Sequence, residues 1–249
     1  MRSEYLLFNL IVVVGPVLLS FDRRVRYWTK WPMSLAACLL TLPFYIFWDA
    51  TVTGKHWWFN PEFILGITLF HLPLEEWLFF ITVPFASLFI WEIIVYFRPP
   101  HTIKILAVVQ KVLLLFLPGG LVLYLIGKEY SGLALGVFAV ILILDELLQT
   151  RLIKDARILR FFAILTLAML VFNGYLTARP VVLYDPRYQF DFRIITIPIE
   201  DFIYGFGHIL FCTILYEKIK RASCEKNRGR HRWWTRFTEQ RHSTGATRI

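Results

Sequence analysis

Seven runs of mostly apolar residues, spread along a chain of 249, constrain this fold more than any other feature. They lie at about Tyr5–Phe21, Trp31–Trp48, Leu69–Phe97, Lys104–Ile126, Tyr130–Leu148, Arg157–Leu176 and Ile194–Tyr216. A bilayer core about 30 Å thick needs roughly 20 such residues in a helix. Within hydrocarbon only helices and closed barrels satisfy their own backbone. The spacing therefore predicts an all-α, polytopic membrane bundle of seven transmembrane helices. The first run is short enough for a signal peptide, but no small-x-small cleavage site follows it, so it is read as a membrane helix. At 57% hydrophobic and 18% charged, the composition excludes a disordered chain. Three cysteines without a CxxC spacing exclude a disulfide-stapled module.

A net charge of +9 is unexpected for so apolar a chain, and topology explains it. Arg23, Arg24, Arg26, Lys30, Arg98, Lys104, Arg151, Lys154, Arg157, Arg160 and the tail from Lys218 to Arg248 hold twenty of the 27 basic residues. The alternate connections hold six: Arg2, Lys55, Lys128, Arg179, Arg187 and Arg193. The positive-inside rule puts the larger set in the cytoplasm. The expectation is a cell-membrane protein with its N-terminus outside and its C-terminus inside. Trp48, Trp57 and Trp58 mark one interface, and Trp28, Trp31 and Trp91 the other. The tail reads as a solvated, disordered end that enforces topology, in preference to a headgroup-binding segment; nucleic acid is not an expected partner.

The chain also repeats itself. Pro73-Leu74-Glu75-Glu76 matches Pro198-Ile199-Glu200-Asp201 at an offset of 125. At the same offset Phe59-Asn60-Pro61 matches Tyr184-Asp185-Pro186, and Trp91-Glu92 matches Tyr216-Glu217. At 124, Asp49 meets Asn173, and at 123 Asp22 meets Asp145. Each unit has three spans, which gives a first repeat over 1–103, a connector helix over 104–129, a second repeat over 130–217 and a basic tail over 218–249. Units displaced by four crossings are parallel repeats about an axis along the membrane normal, so equivalent residues share a depth.

This symmetry brings Glu75, Glu76, Glu200 and Asp201 to one level, toward the outer leaflet. Carboxylates there are costly and usually face the bundle or a cavity. A carboxyl that keeps its proton is a general acid in waiting. Adjacent helical residues point about 100° apart. Glu75 and Glu200 are expected to face the centre, with Glu76 and Asp201 as support or proton relay. His71 would share the face of Glu75 if the helix ran through Pro73, and His208 follows Asp201 by seven residues; both read first as satisfied interior groups. Asp49, Asn60 and Asp185 lie near the cavity mouth or make turns. Asp22 and Asp145-Glu146 read as ion pairs at helix ends, and Gly132 with Gly136 as a helix-packing pair. Trp77, Phe79, Phe80 and Tyr204 would give a lining whose π-faces suit a cation.

With these motifs on its helices, the chain resembles the membrane-integral lycopene cyclases, whose homologous halves occur as separate subunits or fused. Their PxE(E/D) motif reads here as Pro73-Leu74-Glu75-Glu76 and Pro198-Ile199-Glu200-Asp201, with Phe47-Trp48-Asp49 and Trp58-Phe59-Asn60 as context. The resemblance implies an acid-catalysed, non-redox closure of the ψ-end groups of lycopene to β- or ε-rings, with Glu75, Glu200, Glu76 and Asp201 catalytic. It implies Trp77, Phe79, Phe80, Tyr204, His71, Asp49 and Asn60 around the substrate, which enters from the bilayer. Other carotenoid-pathway enzymes are the protein partners it implies. With no GxGxxG after a strand, no flavin is expected, and no metal. Among rivals, an opsin needs a lysine within the seventh span, and a prenyltransferase needs Asp-rich motifs; neither is present. A proton-coupled transporter with buried carboxylates is the stronger alternative.

Overall fold

The computed structural model describes the backbone of residues 3–244 and the side chains of residues 3–225. Helix α1 spans Glu4–Leu19, α2 Trp31–Val52, and α3 Leu74–Phe97. Then follow α4 (Lys104–Leu113), α5 (Phe116–Leu125), α6 (Glu129–Leu147), α7 (Arg157–Ala178) and α8 (Ile199–Thr244). Among the described residues, six stretches are long and apolar enough to cross a membrane, α4 and α5 counting as one. The seventh, α1, has 16 residues and is shorter than a full span. The break between α4 and α5 precedes Pro118, which lacks an N–H and crowds the turn before it. The basic tail, expected to be disordered, continues α8 to Thr244; its side chains beyond Glu225 lie outside the described residues.

An all-helical chain is not quite what forms. Six short strands lie in the connections at one end of the bundle: β1 (Trp57–Phe59), β2 (Thr68–Leu69), β3 (Leu72–Pro73), β4 (Val182–Tyr184), β5 (Arg193–Ile194) and β6 (Ile197–Pro198). Two- and three-residue strands leave almost no periodic signal, so the sequence does not announce them. β2–β3 and β5–β6 are hairpins, and each runs into a motif helix. β1 pairs antiparallel with β4, with Trp58 opposite Leu183. Those two residues are 125 apart, so equivalent strands meet across the local two-fold that relates the halves. A parallel-repeat arrangement requires such an axis.

The backbone repeats in detail. Arg26 and Arg151 both adopt positive φ, as do Phe70 and Ile195. At the other end of the bundle, Trp91 Nε1 donates to Glu217 (2.9 Å) and Tyr216 Oη to Glu92 (2.8 Å). That is one cross-repeat contact made twice. Glu92 is buried and also holds Lys30 and Lys220. The main core lies between these ends, around Leu88, Trp91, Phe161, Leu210 and Tyr216. At the helix ends read as ion pairs, Glu146 does bind Lys154. Asp145 is different: buried, it accepts from the amides of Leu152 (2.9 Å) and Ile153 (3.0 Å) and from Thr150. Asp22 likewise accepts the Arg24 amide. Both clamp turns.

Helix α5 packs on α6 through its smallest residues. A Cβ on Gly120 would meet Gly132 O at 2.6 Å and Gly136 N at 2.9 Å. Only glycine lets α5 approach α6 so closely, as the glycine pair predicted.

Candidate active site

Each motif helix starts where its proline ends a hairpin. Pro73 has extended backbone (ψ 148°), and α3 begins at Leu74. α8 begins at Ile199, directly after Pro198. Glu75, Glu76, Glu200 and Asp201 therefore occupy first helical turns, where the helix dipole favours carboxylates. All four are buried.

The two members of each pair point different ways. Glu75 Oε1 accepts the Leu65 amide (2.6 Å), and Glu200 Oε1 accepts the Phe190 amide (2.8 Å). Leu65 and Phe190 are themselves equivalent, so the same brace ties the preceding connection to the helix in both repeats. Ser131 Oγ adds a 2.5 Å bond to Glu200. Glu76 and Asp201 instead line a cavity of about 430 Å³, within the range of small-molecule pockets. The expected order is thus reversed: the second carboxyl of each pair faces the centre, and the first holds the loop behind it. The hairpin fixes the rotation at which each helix starts, and helical periodicity carries no record of it.

Three carboxyls face this cavity: Asp49, Glu76 and Asp201. Tyr5 Oη donates to Glu76, and its equivalent Tyr130 donates to Asp201 (2.6 Å). Asp201 accepts two further bonds, from Tyr184 Oη (2.7 Å) and Asn173 Nδ2 (3.0 Å). Asp49 accepts from Tyr204 Oη (2.8 Å) and shares the cavity wall with Glu76. Among the described residues, no Lys or Arg lines the cavity.

From this acidic end the cavity runs between α1, α3, α7 and α8. Tyr5 to Leu19 of α1 border it, which is roughly 21 Å of helix at 1.5 Å per residue. Beyond the carboxyls its wall is aromatic and aliphatic, with the Phe8 ring in contact with both Phe79 and Phe172. Ile11 and Leu19 border it and are also exposed on the outer surface of α1. His208 faces it deeper along α8, packed against the rings of Tyr45 and Phe80; its Nε2 is buried without a hydrogen-bond partner.

Of the residues expected around a substrate, Asp49, Phe79 and Tyr204 line the cavity. Phe80 is fully buried one layer behind, against Tyr45 and His208. The other three lie elsewhere. His71 sits exposed in the β2–β3 turn at φ +65°, because the helix starts after it. Trp77 turns outward, its Nε1 bonded to Leu69 O (3.2 Å). Asn60 makes a turn by accepting the Glu62 amide (3.1 Å), and Asp185 does the same for Arg187. Sequence reasoning passed over Tyr5, Tyr130, Tyr184 and Asn173 as donors. The offset of 125 pairs Tyr5 with Tyr130, a match that could have found them.

Outside the spans, His56 Nε2 lies 3.0 Å from Glu129, which also binds Lys55. Burial holds the His56 pKa below its ordinary range, against the pull of Glu129. Arg187 holds Asp185 below the usual carboxylate range.

No curated protein and no solved structure matches the chain. The lycopene cyclase profile matches it twice, over residues 2–94 and again over 127–219, the same displacement of 125 that relates the carboxylate motifs. Those two segments cover most of the sequence, and each contributes one wall of the acidic cavity: the chain belongs to the lycopene cyclase family.

Proposed function

We propose that this protein closes the linear ψ-end groups of lycopene into β- or ε-ionone rings in a non-redox reaction, giving γ- and β-carotene where the ring is β. The observation that carries this reading is a long apolar cavity, walled by aromatic rings, that ends on three carboxyls drawn from both repeats. A polyene fits such a slot lengthwise with its terminal double bond at the acidic end. A carboxylic acid protonates that bond, the tertiary cation is attacked by the next double bond, a six-membered ring closes, and a proton is lost. Glu76, Asp201 and Asp49 are the groups in reach of the reacting carbons. Glu75 and Glu200 hold the connections that shape the site, and are essential through them. The rings of Tyr5, Phe79 and Tyr204 face the cation.

The chain crosses the membrane seven times in this reading, α1 included, with the N-terminus outside and the basic end in the cytoplasm. Substrate enters sideways from lipid past α1, where Ile11 and Leu19 both border the cavity and reach the surface. Expression in a lycopene-accumulating bacterium tests the function. Cyclic carotenoids are expected, and unchanged lycopene overturns it. Glu76→Gln should lower ring formation by about a hundredfold or more, and Asp201→Asn should change which rings form. Wild-type amounts and products from both would move the chemistry to Glu75 and Glu200.

A further inference from the structure

The two repeats present different chemistry to one cavity. On the side of Asp201, three donors converge on a single carboxyl: Tyr130 and Tyr184 through hydroxyls and Asn173 through its amide. On the other side, two carboxyls, Asp49 and Glu76, face the same cavity with one tyrosine donor each. Two carboxyls that share a buried site with few donors hold a proton between them, because a second negative charge there is costly. A carboxyl met by three donors is built as an acceptor.

Two differences between the repeats create this asymmetry. Tyr184 stands where the first repeat has Phe59, which has no hydroxyl. Asn173, an amide, stands one alignment step from Asp49, an acid. Exchange of a donor for an acid turns a triple-donor seat into a carboxyl pair.

We infer that the repeats divide the acid–base work. The Asp49–Glu76 pair delivers the proton and Asp201 removes it, with Tyr130, Tyr184 and Asn173 as positioning residues that hold Asp201 as the acceptor. This rests on the cyclase reading above. The O–H bond of the pair breaks, and the terminal double bond supplies the electrons for the new C–H bond. The next double bond supplies those of the ring C–C bond. A C–H bond beside the resulting cation then breaks, its electrons form the ring double bond, and the proton goes to Asp201. No electrons are gained or lost. Asp201 then gives its proton to water, and the pair takes one up from water, before the next turnover. His208 is the competing base, about 10 Å further along α8.

The position of the ring double bond records which base takes the proton, whereas total conversion records the acid. The experiment gives membranes carrying the full chain lycopene in liposomes made up in D₂O. Conversion, ring deuterium and double-bond position are then read by mass spectrometry and NMR. Wild type should give one ring isomer with one deuterium per ring. Glu76→Gln should lose about a hundredfold or more of conversion and return lycopene without deuterium. Tyr184→Phe removes one hydroxyl and little volume. It should keep conversion within about fivefold while other double-bond isomers or a hydroxylated ring appear. Asp201→Asn should show the same change more strongly.

The division of roles is overturned if Tyr184→Phe and Asp201→Asn only lower conversion with the isomer unchanged, or if His208→Ala produces the isomer shift instead. Wild-type membranes that leave lycopene unreacted overturn the cyclase reading itself. That failure is separate, because the roles are read from the variants' products. If Asp201→Asn does not accumulate, Tyr184→Phe alone decides.

Discussion

The internal two-fold makes α1 against α3 equivalent to α6 against α8, yet one side is open and the other closed. On the open side Gly15, Ala86 and Gly205 border the cavity. At the equivalent positions on the other side stand Val140, Phe211 and Phe80. The added volume fills what would have been a second cavity: Phe80 is fully buried against Tyr45 and His208. The helix contacts differ as well. α6 meets α8 at Gly207, where a Cβ would touch Ile141 at 3.3 Å and Phe138 at 3.5 Å. α1 meets α3 through Asn9, which binds Thr82 (2.7 Å) and Glu75 O (3.1 Å). Hydrogen bonds through a polar side chain hold two helices without the close approach that glycine packing gives. The two halves give equivalent scaffolds, and the cavity lies on the side whose residues are smaller.

The largest effect should come from giving the open side the bulk of the closed one. Gly205→Phe places in the cavity what Phe80 places opposite. The nearest atom to a Cβ there is Met169 Cε at 2.9 Å, the end of a flexible side chain, so the helix can stay. Cyclisation should fall about a hundredfold at unchanged helical content by circular dichroism. A variant of normal activity would show that the cavity is not the substrate site. Next, Phe80→Ala should cost about 3–5 kcal/mol in detergent unfolding, the usual loss for a buried phenylalanine. A cost below about 1 kcal/mol would mean that the closed side is not tightly packed. Gly120→Ala should cost about 1–3 kcal/mol, because its Cβ meets backbone of α6 that cannot yield. Gly15→Ala on the open side, with nothing within 4 Å, should be neutral or slightly stabilising. Equal costs for the two would show that the close α5–α6 approach adds nothing to stability.

The smallest effect concerns pH. His56 joins the strand connection to α6 through Glu129, on the closed side. Burial lowers its pKa in the folded protein, while Lys55 disfavours its charge and Glu129 and Asp185 favour it. The unfolded chain therefore binds a proton first, so stability is full above a pH of about 6.5 and declines as pH falls below it. His56→Gln should flatten that part of a Tm-versus-pH profile. An unchanged slope would locate the acid sensitivity elsewhere.

Much of the architecture was legible because bilayer physics writes it plainly. Long apolar runs mark the helices, and the six that meet the length criterion all lie within the predicted runs or extend a little beyond them. The displacement of 125 was legible too, since Pro73 and Pro198 each start a helix that opens with two acids. The facing of those acids was not. Glu75 and Glu76 differ by 100° of rotation, and the hairpin ahead of them decides which one meets the cavity. His71 was misplaced for the same reason: without knowledge that the helix starts at Leu74, four residues of spacing look like one helical face. The tyrosine donors come from α1, α6 and β4, far from the motifs in sequence, and only the bundle brings them together.

By itself the sequence determined a bundle of long apolar helices, the doubling of a three-helix unit and the equivalent places of the four motif carboxyls within it. Hydrophobic length, charge asymmetry and repetition are all one-dimensional quantities. Tertiary structure alone decided which carboxyl faces the cavity, which donors meet it and which of two equivalent sides stays open. Those outcomes depend on helix rotation and on volumes summed across neighbouring helices, and neither is a property of any one segment.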